Sequence, residues 1–124
     1  MKNVDEQKYL ALIQRIIYDL AKRGKTVIVG RGGQAILRDK EGVLHVRIVA
    51  PVAVRVERIV KNEKMSREDA LKLIENKDKT TDEYLRRFYN IDCANPTIYD
   101  MVLNTSRIDL DTAAELIAST VRKM

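Results

Sequence analysis

The residues best placed to do chemistry stand four in a row, Gly30-Arg31-Gly32-Gly33. They follow a short β-branched run, Thr26-Val27-Ile28-Val29, and precede a helical pattern from Gln34 to Arg38. A turn between a strand and a helix offers backbone N–H groups and the positive end of a helix dipole to an anion. Arg31 adds a guanidinium that can hold phosphate or carboxylate through two parallel hydrogen bonds. The competing reading is that the glycines only let the chain turn tightly. Spacing alone leaves both open. Gly30-x-Gly32-x-x-Ala35 also meets a loose dinucleotide pattern, which asks for an acidic residue about 20 positions on, at the end of the next strand. Here that strand ends at Ala50-Pro51, so the dinucleotide reading fails. The phosphate-binding loop Gly-x-x-x-x-Gly-Lys-Ser/Thr does not occur. Gly24-Lys25-Thr26 imitates its end, but Asp19 stands where the first glycine is needed, and the helix lies before the loop instead of after it.

A second group lies in the charged stretch that runs to Arg86-Arg87. Adjacent residues do not share one face of a helix, so at most one of this pair faces a site unless the helix ends there. A solvated pair at a helix terminus is the alternative. Asp78 reads as an ion-pairing residue, with Lys77 or another neighbour as its partner on an exposed helix. His45 lies in a strand pattern with no second histidine and reads as structural. Cys93, in a loop without a CxxC partner, is not expected to act as a thiolate. One histidine and one cysteine make no His/Cys zinc site, and no metal site is expected. Tyr84, Phe88 and Tyr89 at helical spacing read as packing residues. Asp100 reads as a capping or pairing group, with orientation of a nucleotide as the alternative.

These residues need elements to hold them. Apolar positions from Tyr9 to Leu20 predict an amphipathic helix over 5–23, stopped by Gly24. Thr26–Val29 predicts a buried strand, Leu44–Val49 a second, and Tyr99–Leu103 a third. Pro51 fits the first turn of a helix with Val52, Val56, Ile59 and Val60 as its apolar stripe. Ser66-Arg67-Glu68-Asp69 resembles a capping box with Asp in place of Glu, opening a long helix. Asn90–Pro96 predicts a loop. Ile108 opens a last helix whose buried side carries Leu110, Ala113, Ala114, Leu116, Ile117 and Val121. Strands separated by helices imply a mostly parallel α/β sheet. Three strands leave exposed edges, which another chain can pair with.

The chain has 124 residues and a net charge of +5, with 45% hydrophobic and 33% charged residues. One domain over 1–124 is therefore expected. A sequence pI near 9.4 permits a phosphate-bearing partner. Acidic residues alternate with the basic ones, as in Arg55-Val56-Glu57-Arg58, which describes a solvated surface. With Phe88 the only phenylalanine and no aromatic array for stacking bases, a nucleic-acid partner is not expected. No apolar run approaches the roughly 20 residues of a membrane span, so no membrane partner is expected either. The charged start Met1–Lys8 and the single Cys93 point to a reducing cytoplasm.

Several segments together resemble the cytidylate kinase-like P-loop proteins. They are Val27–Leu37, Leu44–Pro51, Arg86-Arg87-Phe88-Tyr89-Asn90-Ile91-Asp92 and Tyr99–Thr105, in the family's order over roughly 10–120. The resemblance implies a three-layer αβα P-loop kinase-like fold. It implies transfer of the ATP γ-phosphate to a nucleoside monophosphate such as CMP or dCMP. It places Gly30, Arg31, Gly32 and Gly33 on the acceptor phosphate. It makes 63–92 the lid, with Asp78 in it and Arg86 and Arg87 facing the transferred group. Such chemistry is mostly positioning and charge neutralisation, which arginines supply.

The departures are specific. The family's N-terminal strand, P-loop and first helix have no counterpart, so the fold is expected to be truncated at its N-terminus. ATP and magnesium, implied by the family, have no holder in the chain alone. Thr81 stands where the resemblance implies an arginine and Asn90 where it implies glycine. The expected function is therefore a nucleotide kinase-like protein that is incomplete or inactive alone. A non-catalytic oligomeric interaction module derived from a kinase fold is the alternative, and a generic basic phosphate-binding protein the third reading. Loss of a central strand exposes apolar sheet surface, so a homo-oligomer is expected.

Overall fold

The computed structural model describes residues 3–124 and divides the chain into two compact units, Met1–Val43 and Leu44–Met124. In the first unit, helix α1 (Val4–Arg23) is closed at both ends. Asn3 accepts the Glu6 N–H at 2.7 Å, and Glu6 accepts the Asn3 N–H at 3.3 Å, satisfying two of the donors a helix start leaves open. At the other end Gly24, at φ 72, donates back to the carbonyls of Leu20 and Ala21. A side chain would strain that left-handed position. Leu10 and Ile17 are the buried residues of α1. Helix α2 is a single turn, Gly33–Ile36, and the Tyr18 hydroxyl donates to the Ile36 carbonyl at 3.3 Å.

The strand expected at 26–29 is not formed. Val27 and Val29 are 89% and 86% exposed. No backbone hydrogen bond is made by residues 26–29 among the described residues. A β-branched run becomes a strand only where a neighbour supplies its hydrogen bonds.

The second unit holds a two-stranded parallel sheet. Strand β1 (Val46–Val49) pairs with β2 (Met101–Asn104) in the register Val46 opposite Met101 through Val49 opposite Asn104. Parallel neighbours need a long crossover. It is made by α3 (Val52–Glu63) and α4 (Arg67–Tyr89), followed by a short 3₁₀ turn, Pro96–Ile98. Helix α5 (Leu110–Arg122) follows β2, behind the cap Asp109, whose carboxylate accepts the Thr112 N–H at 2.7 Å. The chain thus has a mixed α/β fold with a small parallel sheet, of two strands where three were expected.

The entrance of the sheet is closed by a reciprocal pair. The His45 N–H donates to the Asp100 carboxylate at 2.8 Å, and the Asp100 N–H to the His45 carbonyl at 2.7 Å. The Asp100 side chain is thus a pairing group, as expected, and His45 takes part through its backbone. The α3–α4 hairpin has its own core, Val56, Ala70 and Ile74, flanked by Ile59, Val60 and Met65. Ser66 caps α4 by accepting the Asp69 N–H at 3.1 Å. Pro51 sits at the cap of α3, one residue ahead of the expected first turn. On α5 only Ala113 is buried, while Leu110, Leu116 and Val121 stay exposed. A two-stranded sheet has too little surface to cover the whole apolar stripe of a helix. Among the described residues, no helix is long and apolar enough to cross a membrane.

Candidate functional site

In the first unit, three successive residues are left-handed: Gly30 at φ 76, Arg31 at φ 61 and Gly32 at φ 76. An added Cβ at Gly30 meets nothing within 4 Å, so the demand for glycine there comes from the backbone angle and not from space. The turn closes through the Gly33 N–H to the Gly30 carbonyl at 3.3 Å, and Gly32 accepts from Ala35 and Ile36. Arg31 is the one residue of the turn with a side-chain cost in this conformation, about 1–2 kcal/mol. Its side chain is exposed and makes no ion pair or hydrogen bond among the described residues. All five guanidinium N–H donors are therefore available to an oxyanion. The following helix is one turn long, so Arg31 and the turn amides, and not a helix dipole, are what the site offers an anion.

The lid candidates lie in the second unit. Asp78 does not pair with its helical neighbours as expected. It holds Arg55 of α3 through two hydrogen bonds of 2.7 Å each. The pairing keeps the Asp78 carboxyl below the usual carboxylate range, helped by the charge of Arg47 and opposed by partial burial. The same bonds raise Arg55 above its ordinary value. Arg86 and Arg87 diverge at the end of α4. Arg86 reaches Asp82 at 3.6 Å and Asp92 at 3.4 Å. The Arg87 guanidinium lies over the Phe88 ring, 5.0 Å from its centroid. Tyr84 stacks edge-on against both Phe88 and Tyr89, as packing residues do.

Asp82, Asp92 and Cys93 bring their possible ligand atoms within 4.8 Å of one another. Arg86 already neutralises both carboxylates, and the Cys93 thiol donates to Asp82 at 3.3 Å. Partial burial, reinforced by Asp82, raises the thiol above its ordinary value, so it stays protonated at neutral pH. A protonated thiol beside a bound guanidinium is a poor donor set for a cation.

The sequence places Arg55 and Arg58, at i and i+3 on α3, on a solvated surface, whereas the structure gives each a specific partner. Parallel strands present their ligand-facing ends at their carboxyl termini. There the Thr105 N–H donates to the Val49 carbonyl at 2.9 Å, joining the ends of β1 and β2. Arg58 donates to the Thr105 hydroxyl at 2.9 Å and to its carbonyl at 2.6 Å. Thr105 is 2% exposed, so these bonds satisfy a buried polar group. Arg55, Arg58 and Lys77 ring an open cavity of about 310 Å³ floored by Ile59, Leu73 and Ile74. The signal was the Arg-x-x-Arg spacing of 55–58, masked by the acidic residue inside it.

Residues 2–107 match the Cytidylate kinase-like family. The chain is similar to the cytidylate kinase of Methanocaldococcus jannaschii, 32% identical over 123 residues, covering 97% of the chain and 66% of that protein. It is similar to the cytidylate kinase of Pyrococcus horikoshii, 34% identical over 109 residues, covering 82% of the chain and 55% of that protein. The chain thus spans less than two thirds of the length of these relatives. Its fold is also that of an uncharacterized protein from Eubacterium ventriosum, with a TM-score of 0.86 at 22% identity, over 95% of the chain and 74% of that protein.

Proposed function

The chain belongs to the cytidylate kinase-like family, and from that premise we propose that it is a nucleotide kinase-like protein that binds the phosphate of a nucleoside monophosphate, CMP or dCMP. The observation that carries the reading is Arg31, an exposed guanidinium without a partner among the described residues, presented by a left-handed glycine turn. Gly30, Gly32 and Gly33 let the chain turn close to the bound phosphate, and Arg31 neutralises it. Asp78, Arg86 and Arg87 belong to a lid over 63–92. Arg87 is the member of the arginine pair whose guanidinium lies over the Phe88 ring. On this reading the two-stranded parallel sheet is part of a three-layer P-loop kinase-like fold.

The residues present do not fit ATP and magnesium. The glycine turn that precedes a helix is followed by Gln34-Ala35, which offers neither an ammonium for phosphate nor a hydroxyl for the metal. Turnover by the 124 residues alone is not expected.

Calorimetric titration with CMP, dCMP, AMP and ATP tests the proposal. CMP or dCMP is expected to bind saturably, and Arg31→Ala to weaken that binding by about tenfold or more, as loss of a charge-assisted bidentate contact does. Absence of binding by all four nucleotides overturns it.

A further inference from the structure

Helix α1 carries a second seam beside its buried one. Asp5, Tyr9, Leu12, Ile16, Asp19 and Arg23 follow one another at spacings of four, three, four, three and four. That is the spacing by which one helix keeps a single face against another. All six are exposed, with Tyr9, Leu12 and Ile16 at 44%, 57% and 45%. The buried residues of the helix, Leu10 and Ile17, lie on the adjacent face. Neither Asp5, Asp19 nor Arg23 has an ion-pair partner among the described residues. The seam is apolar at its centre and charged at its ends, with the sign of charge different at the two ends.

That order is complementary to itself in one orientation. With two copies of α1 antiparallel and related by a two-fold axis, Leu12 faces Ile16 of the other copy. Tyr9 then faces Asp19, where its hydroxyl can donate to the carboxylate, and Asp5 faces Arg23. Every contact occurs twice, as a two-fold interface requires. Moving the register by one heptad sets Asp5 against Ile16 or Leu12 against Arg23. A parallel pair in register sets Asp5 on Asp5, Asp19 on Asp19 and Arg23 on Arg23. Like charges face to face oppose that arrangement. We propose that this face of α1 docks a second copy of the chain, helix against helix and antiparallel. Asp5 and Arg23 also suit the dipole of their own helix. Dipole complementarity does not account for the exposed Tyr9, Leu12 and Ile16 between them, nor for Asp19 in the last turns, where the dipole disfavours it. The seam spans about 27 Å along the axis at about 1.5 Å per residue. One helix pair is small for a stable interface, so association is reversible and concentration-dependent.

Sedimentation velocity over a wide concentration range is the test. The parent chain is expected to dimerise as concentration rises. Leu12→Lys and Ile16→Glu each place a charge against an apolar side chain and are expected to weaken the dimer by about tenfold or more. The double substitution Leu12→Lys with Ile16→Glu sets opposite charges against each other. It is expected to restore dimerisation and make it salt-sensitive. These positions are exposed, and far-ultraviolet dichroism checks that the helix is kept. Orientation is read separately in a Cys93→Ser background: a short bismaleimide is expected to join an Asp5→Cys chain to an Arg23→Cys chain, and not two Asp5→Cys chains. A parent chain monomeric at every concentration, a dimer that neither single substitution weakens, or cross-linking of Asp5→Cys to itself would overturn the proposal.

Discussion

Arg55 and Asp78 show how a residue's role depends on what faces it. The sequence places Asp78 among lysines on its own helix, yet a guanidinium from α3 claims both its oxygens. The pair is partly exposed, and such pairs contribute modestly to stability. Its effect is read best through pH. Asp78 is held below its ordinary value of 3.8 in the folded chain. A depressed native carboxyl contributes stability above the unfolded-state value and loses it as pH falls through the native one. Asp78→Asn is therefore expected to lower stability at neutral pH and to flatten the further loss from neutral pH to the acid range below 3.8. Urea unfolding at both ends of that range measures the difference. An equally steep acid loss in the variant would refute the assignment. Arg31 is the opposite case at the same scale. Its residue type and its place in the turn were legible in the sequence. Its left-handed backbone and lack of a partner were not.

The helices were legible because their ends are encoded locally. Gly24 and Ser66 cap where the sequence places them, and the spacing from Tyr9 to Leu20 locates the body of α1. Asn90 carries the clearest element-scale consequence. It stands where the family resemblance implies glycine, and it ends α4 at φ 52, donating to the carbonyls of Leu85 and Arg86. Asparagine tolerates this left-handed position better than other residues with a Cβ. Asn90→Gly is therefore expected to leave stability unchanged or raise it by up to about 1 kcal/mol, and Asn90→Val to lower it by about 1–2 kcal/mol. Thermal and urea unfolding of the two variants check both signs. The strands were less legible than the helices. Their existence at Val46–Val49 and Met101–Asn104 followed from β-branched and apolar residues, but the same signal at 26–29 produced no strand.

At the scale of the whole molecule, that difference has a measurable signature. Val27, Ile28 and Val29 make no backbone hydrogen bond among the described residues, whereas β1 and β2 share a ladder. Amide hydrogen exchange at 27–29 is expected to be fast, with Ile48 and Leu103 protected by orders of magnitude more. Protection at 27–29 equal to that of the ladder would mean that these residues are paired in solution. Capping, helical periodicity, the glycine turn at 30–33 and membership of the kinase-like family were determined by the sequence itself. The first three are local, involving residues within a few positions of each other, and the fourth rests on several segments in a fixed order. Tertiary structure alone decided which β-branched run became a strand. It also made Arg55 the partner of Asp78, carried Arg58 to the buried Thr105, and left one seam of α1 uncovered. Each of these depends on what stands opposite in space, and a residue's type and spacing along the chain do not specify that.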